Sequence, residues 1–234
     1  MKKMVFALAL AVAVGFTAAV GLCVRTLVSP TQAGAIEGGM RVVLDAGHGG
    51  IDGGVVGITT KTKESDLNLA ITYKLKSELE DMGFEVVLTR KTEAGLYDAA
   101  TSGFKRRDME KRREIIREQT PGMVLSIHQN FYPSKSARGG QVFYSAENEG
   151  SKVLAVALQT RLNALYQTQG VKERKAASGE FFILECADCP SVIVECGFLS
   201  NAKDEALLVD EGWQKQLAQV LSASVLAYFS HSTA

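Results

Sequence analysis

From position 41 onward the chain alternates short, nearly unbroken apolar runs with segments whose apolar residues recur every three or four positions. That alternation limits the fold more than any other feature. The runs at 41–46, 123–127 and 191–196 suit strands buried on both faces. Residues 66–82 carry Leu67, Ala70, Ile71, Leu75, Leu79 and Met82 at helical spacing, with Ser65 expected as N-cap and Gly83 as C-cap. Further helices are expected at 104–118, a strongly charged segment with a narrow apolar stripe, and at 151–165 and 213–229. Further strands are expected at 84–89, 140–145 and 181–184. Buried strands alternating with helices predict one α/β domain over residues 41–230, with a mostly parallel central sheet of about six strands and helices on both faces.

The first 28 residues stand apart from this pattern as a signal or membrane-anchor segment. Positions 4–24 hold no charge, with Lys2 and Lys3 before them and Arg25 after. Spanning a bilayer takes about 20 apolar residues and a cleavable signal core only about 7–15, so the length favours a retained anchor. Cleavage after Ala19 or Ala33 also fits a small-residue rule, since Thr17 and Thr31 stand two positions earlier. Either way the domain is exported. Leu22 before Cys23 does not suit a lipoprotein site, and residues 29–40, with Pro30, Gly34, Gly38 and Gly39, read as a linker. The chain carries 26 basic and 26 acidic side chains, a balance that argues against a nucleic-acid binder.

In open sheets of this kind ligands gather at the carboxyl ends of the strands. Asp45, Gly47 and His48 end the first strand, Ser126, His128 and Asn130 the third, and Glu195 the last, while Glu64 lies at the start of the first helix. One histidine at a strand end is ordinarily a hydrogen-bonded structural group. Two imidazoles with a carboxylate, leaving a fourth position for water, match a catalytic zinc site, so Glu64 is either the third ligand or an acid favoured by the helix dipole. Glu195 follows Val192, Ile193 and Val194, where partial desolvation suits it to act as a base and a salt bridge is the alternative. Gly47, Gly49 and Asp52 miss the dinucleotide spacing, and the phosphate loop, the Gly-x-Ser-x-Gly elbow and the His-Glu-x-x-His helix are all absent from the sequence. Cys186 and Cys189 form a CxxC pair with no second half of a zinc site, which leaves inert thiols or an adventitious disulfide ahead of redox chemistry.

Four motifs in order carry a specific resemblance: Leu44 to Gly50 with Asp52, Gly53 and Gly54; Glu64; Ser126 to Asn130; and Val194 to Asn201. Over about residues 41–229 the chain resembles the zinc N-acetylmuramoyl-L-alanine amidases of the AmiC-like type. The resemblance implies zinc on His48, Glu64 and His128, Glu195 as catalytic acid and base, and hydrolysis of the muramic acid to L-Ala amide of peptidoglycan. It also suggests Asn130 and Arg112 as substrate contacts. Small size, the N-terminal segment and the residues from Phe104 to Arg112 are most similar to the germination-specific, CwlD-type branch. That branch implies removal of stem peptides from spore cortex, followed by a polysaccharide deacetylase acting in sequence to allow muramic lactam formation. Arg117, Cys189 and Cys196 depart from the family's common residues, and none is a proposed ligand.

Overall fold

The computed structural model describes residues 40–232, so the expected anchor, nearly all of the linker and Cys23 lie outside the described residues. The elements run β1 (Arg41–Ala46), α1 (Glu64–Asp81), β2 (Glu85–Leu88), α2 (Phe104–Gln119), β3 (Met123–Asn130), β4 (Gln141–Tyr144), α3 (Glu149–Gln167), β5 (Ala177–Ser178), a short 3-10 helix (Phe182–Glu185), β6 (Ser191–Phe198), α4 (Ala202–Leu208) and α5 (Glu211–Ser232). The six strands form one sheet in the order β2-β1-β3-β6-β4-β5. Four neighbouring pairs are parallel, while β4 runs antiparallel to β6. No helix among the described residues is long and apolar enough to cross a membrane.

Strand alternation sorts side chains to the two faces. Val42 and Leu44 of β1, Leu125 and Ile127 of β3, and Val192 and Val194 of β6 share a fully buried core with α1, α3 and α5. On the other face Val43, Val124 and Ile193 form a smaller cluster with Ile116 of α2 and with Ile183 and Leu184 of the 3-10 helix. One charged helix and one short turn cover this second face thinly. Continuing along it, the alternation delivers Asp45, then Ser126, His128 and Asn130, and finally Glu195, toward the carboxyl ends of the central strands.

Three local expectations are corrected. The first helix starts at Glu64, with Lys63 rather than Ser65 at the cap and no side-chain cap bond. Its leading N–H groups are satisfied by distant carbonyls, Glu64 to Val55 O at 2.8 Å and Ser65 to Gly53 O at 3.1 Å. Residues 181–184 are not a strand: Phe181 and Phe182 are exposed while Ile183 and Leu184 enter the core, an arrangement in consecutive pairs that a 3-10 turn satisfies and a strand does not. Helix α4, absent from the sequence reading, is capped by Asn201, whose side chain accepts from the N–H groups of Lys203 and Asp204.

Candidate metal centre

Each metal-site residue comes from a different element. His48 lies just beyond β1 with a left-handed φ of 60°, an uncommon conformation for a residue with a Cβ, and it opens a turn that Gly49 and Gly50 continue at φ 144° and 62°. Gly47 is required by close approach, because a Cβ there would lie 2.2 Å from the His128 imidazole. Arg90, which the sequence reading missed, clamps this loop onto α1 by donating to the carbonyls of Ala46, Gly47 and Ser65. Its position one residue past the second strand run was the only signal.

Glu64 is 2% exposed and held from several sides. Its Oε2 accepts from Val55 N–H at 2.9 Å, and its Oε1 accepts from Gln129 N–H at 3.1 Å and from Asn68 Nδ2 at 3.3 Å. The same carboxylate faces His128 Nδ1 at 2.9 Å and His48 Nε2 at 3.4 Å. Burial opposes its ionisation, but the two histidines hold the Glu64 carboxyl well below the usual carboxylate range. Burial also opposes a charge on His48, and the carboxylates of Glu64 and Asp52 outweigh it, raising this imidazole to about 9.

One ligand atom from each of His48, Glu64 and His128 lies within 4.8 Å of the others. Tetrahedral zinc with ligands at about 2.0–2.2 Å would place them roughly 3.4 Å apart, so two nitrogens and one carboxylate oxygen fit such an ion in kind and spacing. The proton that His48 holds in its absence would have to leave on binding.

Glu195 lies beside this triad because β3 and β6 pair in parallel with His128 opposite Glu195. Its Oε2 is buried without a hydrogen-bond partner. Burial pushes the carboxyl up to about 7, with His128 and His48 pulling down and Glu64 pushing up. A cavity of about 290 Å³ opens next to His48 and His128, walled by Lys105 and Met109 of α2 and by Phe181 and Phe182 at the start of the 3-10 helix. A larger cleft of about 490 Å³ at Arg117, Cys186 and Cys189 shares no residue with the triad.

Arg112 also lines the smaller cavity; it is 1% exposed and donates to Asp108 at 2.7 Å, to Asp45 at 2.5 Å, and to the carbonyls of Ala46 at 2.8 Å and His48 at 2.6 Å. Asp45, held also by Ser126 and Thr89, is the buried partner of this arginine. Asn130 is half-buried, two positions past His128 on the same face. Cys186, Cys189 and Cys196 are free thiols, and burial pushes the Cys186 thiol up to about 11, far from the thiolate that redox chemistry needs.

Residues 42–227 match the family model described as N-acetylmuramoyl-L-alanine amidase. The chain belongs to that amidase family. The germination-specific N-acetylmuramoyl-L-alanine amidase of Bacillus subtilis is 29% identical over 195 residues, covering 82% of this chain and 81% of the relative. The amidase AmiA of Escherichia coli is 28% identical, covering 82% and 78%. Among solved structures, the CwlD amidase from Clostridioides difficile, in complex with the GerS lipoprotein, superposes with a TM-score of 0.76 at 34% identity, covering 82% of this chain and 98% of that one. The catalytic domain of CwlV from Bacillus (Paenibacillus) polymyxa superposes at 0.70 with 31% identity, covering 82% and 98%. The expected α/β amidase fold is the one observed, and the amidase's substrate is peptidoglycan, a polymer outside the cytoplasm.

Proposed function

We propose that this amidase holds zinc on His48, Glu64 and His128 and hydrolyses the amide between N-acetylmuramic acid and L-alanine, with Glu195 moving the protons. The observation that carries the proposal is the convergence of the three ligand atoms beside a carboxylate whose buried Oε2 has no protein partner. When bound, zinc lowers the pKa of water and polarises the scissile carbonyl. Glu195 takes a proton at Oε2 and returns it to the leaving nitrogen, and a pKa near neutrality suits both directions. Glu64 and the two imidazoles stay fixed, because the backbone N–H groups of Val55 and Gln129 hold the carboxylate between them. The cavity beside His48 receives a reacting group, and Asn130 contacts substrate from the end of β3.

The biological reading rests on relatives. The germination-specific enzyme of B. subtilis and the CwlD neighbour support a role in the spore, where the reading places removal of stem peptides from cortex. The GerS complex of CwlD adds a lipoprotein as a candidate class of partner. The uncharged segment at 4–24 would keep the enzyme anchored with its domain outside the cytoplasm.

Product analysis on a defined muropeptide tests the reaction. The expected products are an intact glycan and a free stem peptide with a new N-terminal L-Ala. Cleavage between stem residues would make the enzyme a peptidase, and released acetate would make it a deacetylase.

A further inference from the structure

The loop that carries His48 folds back on itself within four residues. Gly49 N–H donates to Asp52 O at 2.8 Å and Asp52 N–H returns to Gly49 O at 3.2 Å. The tip is pinned from outside, Gly50 N–H to Glu93 O at 2.7 Å and Ile51 N–H to the Tyr97 hydroxyl at 2.6 Å. This reversal brings Asp52 Oδ2 to 3.1 Å from His48 Nδ1.

The two nitrogens of His48 therefore face different carboxylates. Nε2 points to Glu64 and the triad, while Nδ1 points to Asp52 on the opposite edge of the ring. An imidazole that offers the Nε2 lone pair to a metal carries its proton on Nδ1, and that N–H needs an acceptor. Asp52 cannot be a fourth ligand from there, since the ring stands between it and the triad. Its other oxygen, Oδ1, is engaged by Lys105 Nζ at 3.3 Å and, at 3.5 Å, by Gly54 N–H. His128 has no equivalent: its Nδ1 faces Glu64, its Nε2 abuts Gly47, and no hydrogen bond to that Nε2 is made among the described residues.

We propose that Asp52 is the positioning residue of the metal ligand His48, fixing its Nδ1–H tautomer and ring orientation and strengthening its Nε2 as a donor, with Lys105 securing the carboxylate. The inference rests on the zinc site proposed above. Carboxylates that orient metal-bound histidines typically contribute about 10- to 100-fold in metal affinity.

The test is zinc affinity of the full-length protein, measured by competition with a chromophoric chelator for wild type, Asp52→Ala and Asp52→Asn. Asp52→Ala should bind zinc about 10- to 100-fold more weakly, and Asp52→Asn, which keeps a neutral acceptor, should fall between it and wild type. The zinc-free melting temperature of Asp52→Asn should stay near wild type, and the His48 ring N–H proton signal of the zinc-loaded protein should be lost in Asp52→Ala. Affinities of both variants within about twofold of wild type would overturn the proposal. So would a cobalt-substituted Asp52→Asn protein whose visible spectrum reports a changed coordination number, because Asp52 would then be a ligand. If Asp52→Ala fails to fold, Asp52→Asn alone decides, with unchanged affinity as the negative result. Wild type that binds no zinc would overturn this inference and the zinc site together.

Discussion

Replacing Arg112 with leucine removes the cation on which the floor of the active site is built. Asp45 is 2% exposed beside it, and Asp108 caps its Nε, so the variant leaves a buried carboxylate with only the Ser126 and Thr89 hydroxyls. Breaking a buried pair from one side typically costs about 3–5 kcal/mol, a large share of the roughly 5–15 kcal/mol that holds a domain folded. The bonds from Arg112 to the Ala46 and His48 carbonyls are lost as well, so the turn bearing His48 loosens. In wild type, burial opposes ionisation of Asp45, yet Arg112 and the two hydroxyls hold its pKa down at about 2 against an ordinary 3.8. A depressed carboxyl pKa adds stability that is full above the unfolded value and is lost as pH falls through the folded one, here about 2 kcal/mol. Without Arg112, burial dominates and the Asp45 pKa moves above its ordinary value. The variant then recovers part of its loss on acidification, since protonated Asp45 no longer needs a cation. Urea unfolding of the zinc-free protein at pH 7 and again at about pH 4.5 reads both effects. The loss should be about 3–5 kcal/mol at neutral pH and at least about 1 kcal/mol smaller in acid, and Asp45→Asn in the same background should recover part of it. A loss below about 1 kcal/mol, or one equal at both pH values, would refute the reasoning.

Gly47→Ala forces a Cβ into the His128 ring, so zinc affinity should drop along with about 1–3 kcal/mol of stability; unchanged affinity in a chelator competition would contradict the packing argument. The kcat/KM profile should fall about tenfold per pH unit on the acid side of a limb at or below about 7, because Glu195 must be ionised to take a proton and a nearby dication lowers its pKa further. A profile with no acid limb anywhere between about pH 4 and 8 would remove Glu195 from proton transfer. Cell fractionation should find the enzyme in membranes with the 4–24 segment retained, whereas a wholly soluble species starting after Ala19 or Ala33 would establish cleavage.

Much of this centre was readable from the chain because burial on two faces demands unbroken apolar strands, and a polar residue closing such a run has few roles open to it. His48, His128 and Glu195 stood out for that reason. What the chain hid depends on distant partners. The start of α1 is satisfied by the carbonyls of Val55 and Gly53, not by a local side chain, and an apolar run such as β4 carries no mark of its antiparallel direction. The hold of Arg112 on Asp45 and on the Ala46 carbonyl forms only once α2 packs against β1, and Asp108 four residues earlier was the one partner legible in the chain. Asn201 is an N-cap residue type legible in the chain, yet the seven-residue helix α4 after it carries little periodic signal.

The central claim separates ligands from the proton carrier, and the Glu195→Gln protein tests it when bound zinc and turnover are measured on one preparation. Glutamine keeps the shape of the side chain and removes its ability to exchange a proton, and none of the triad contacts passes through Glu195. The account predicts one zinc per chain as in wild type, an unchanged melting temperature, and kcat on a defined muropeptide reduced by about 10²- to 10⁴-fold with substrate binding retained. Loss of zinc from the variant would make Glu195 a ligand, and full turnover with zinc bound would place the base on another residue.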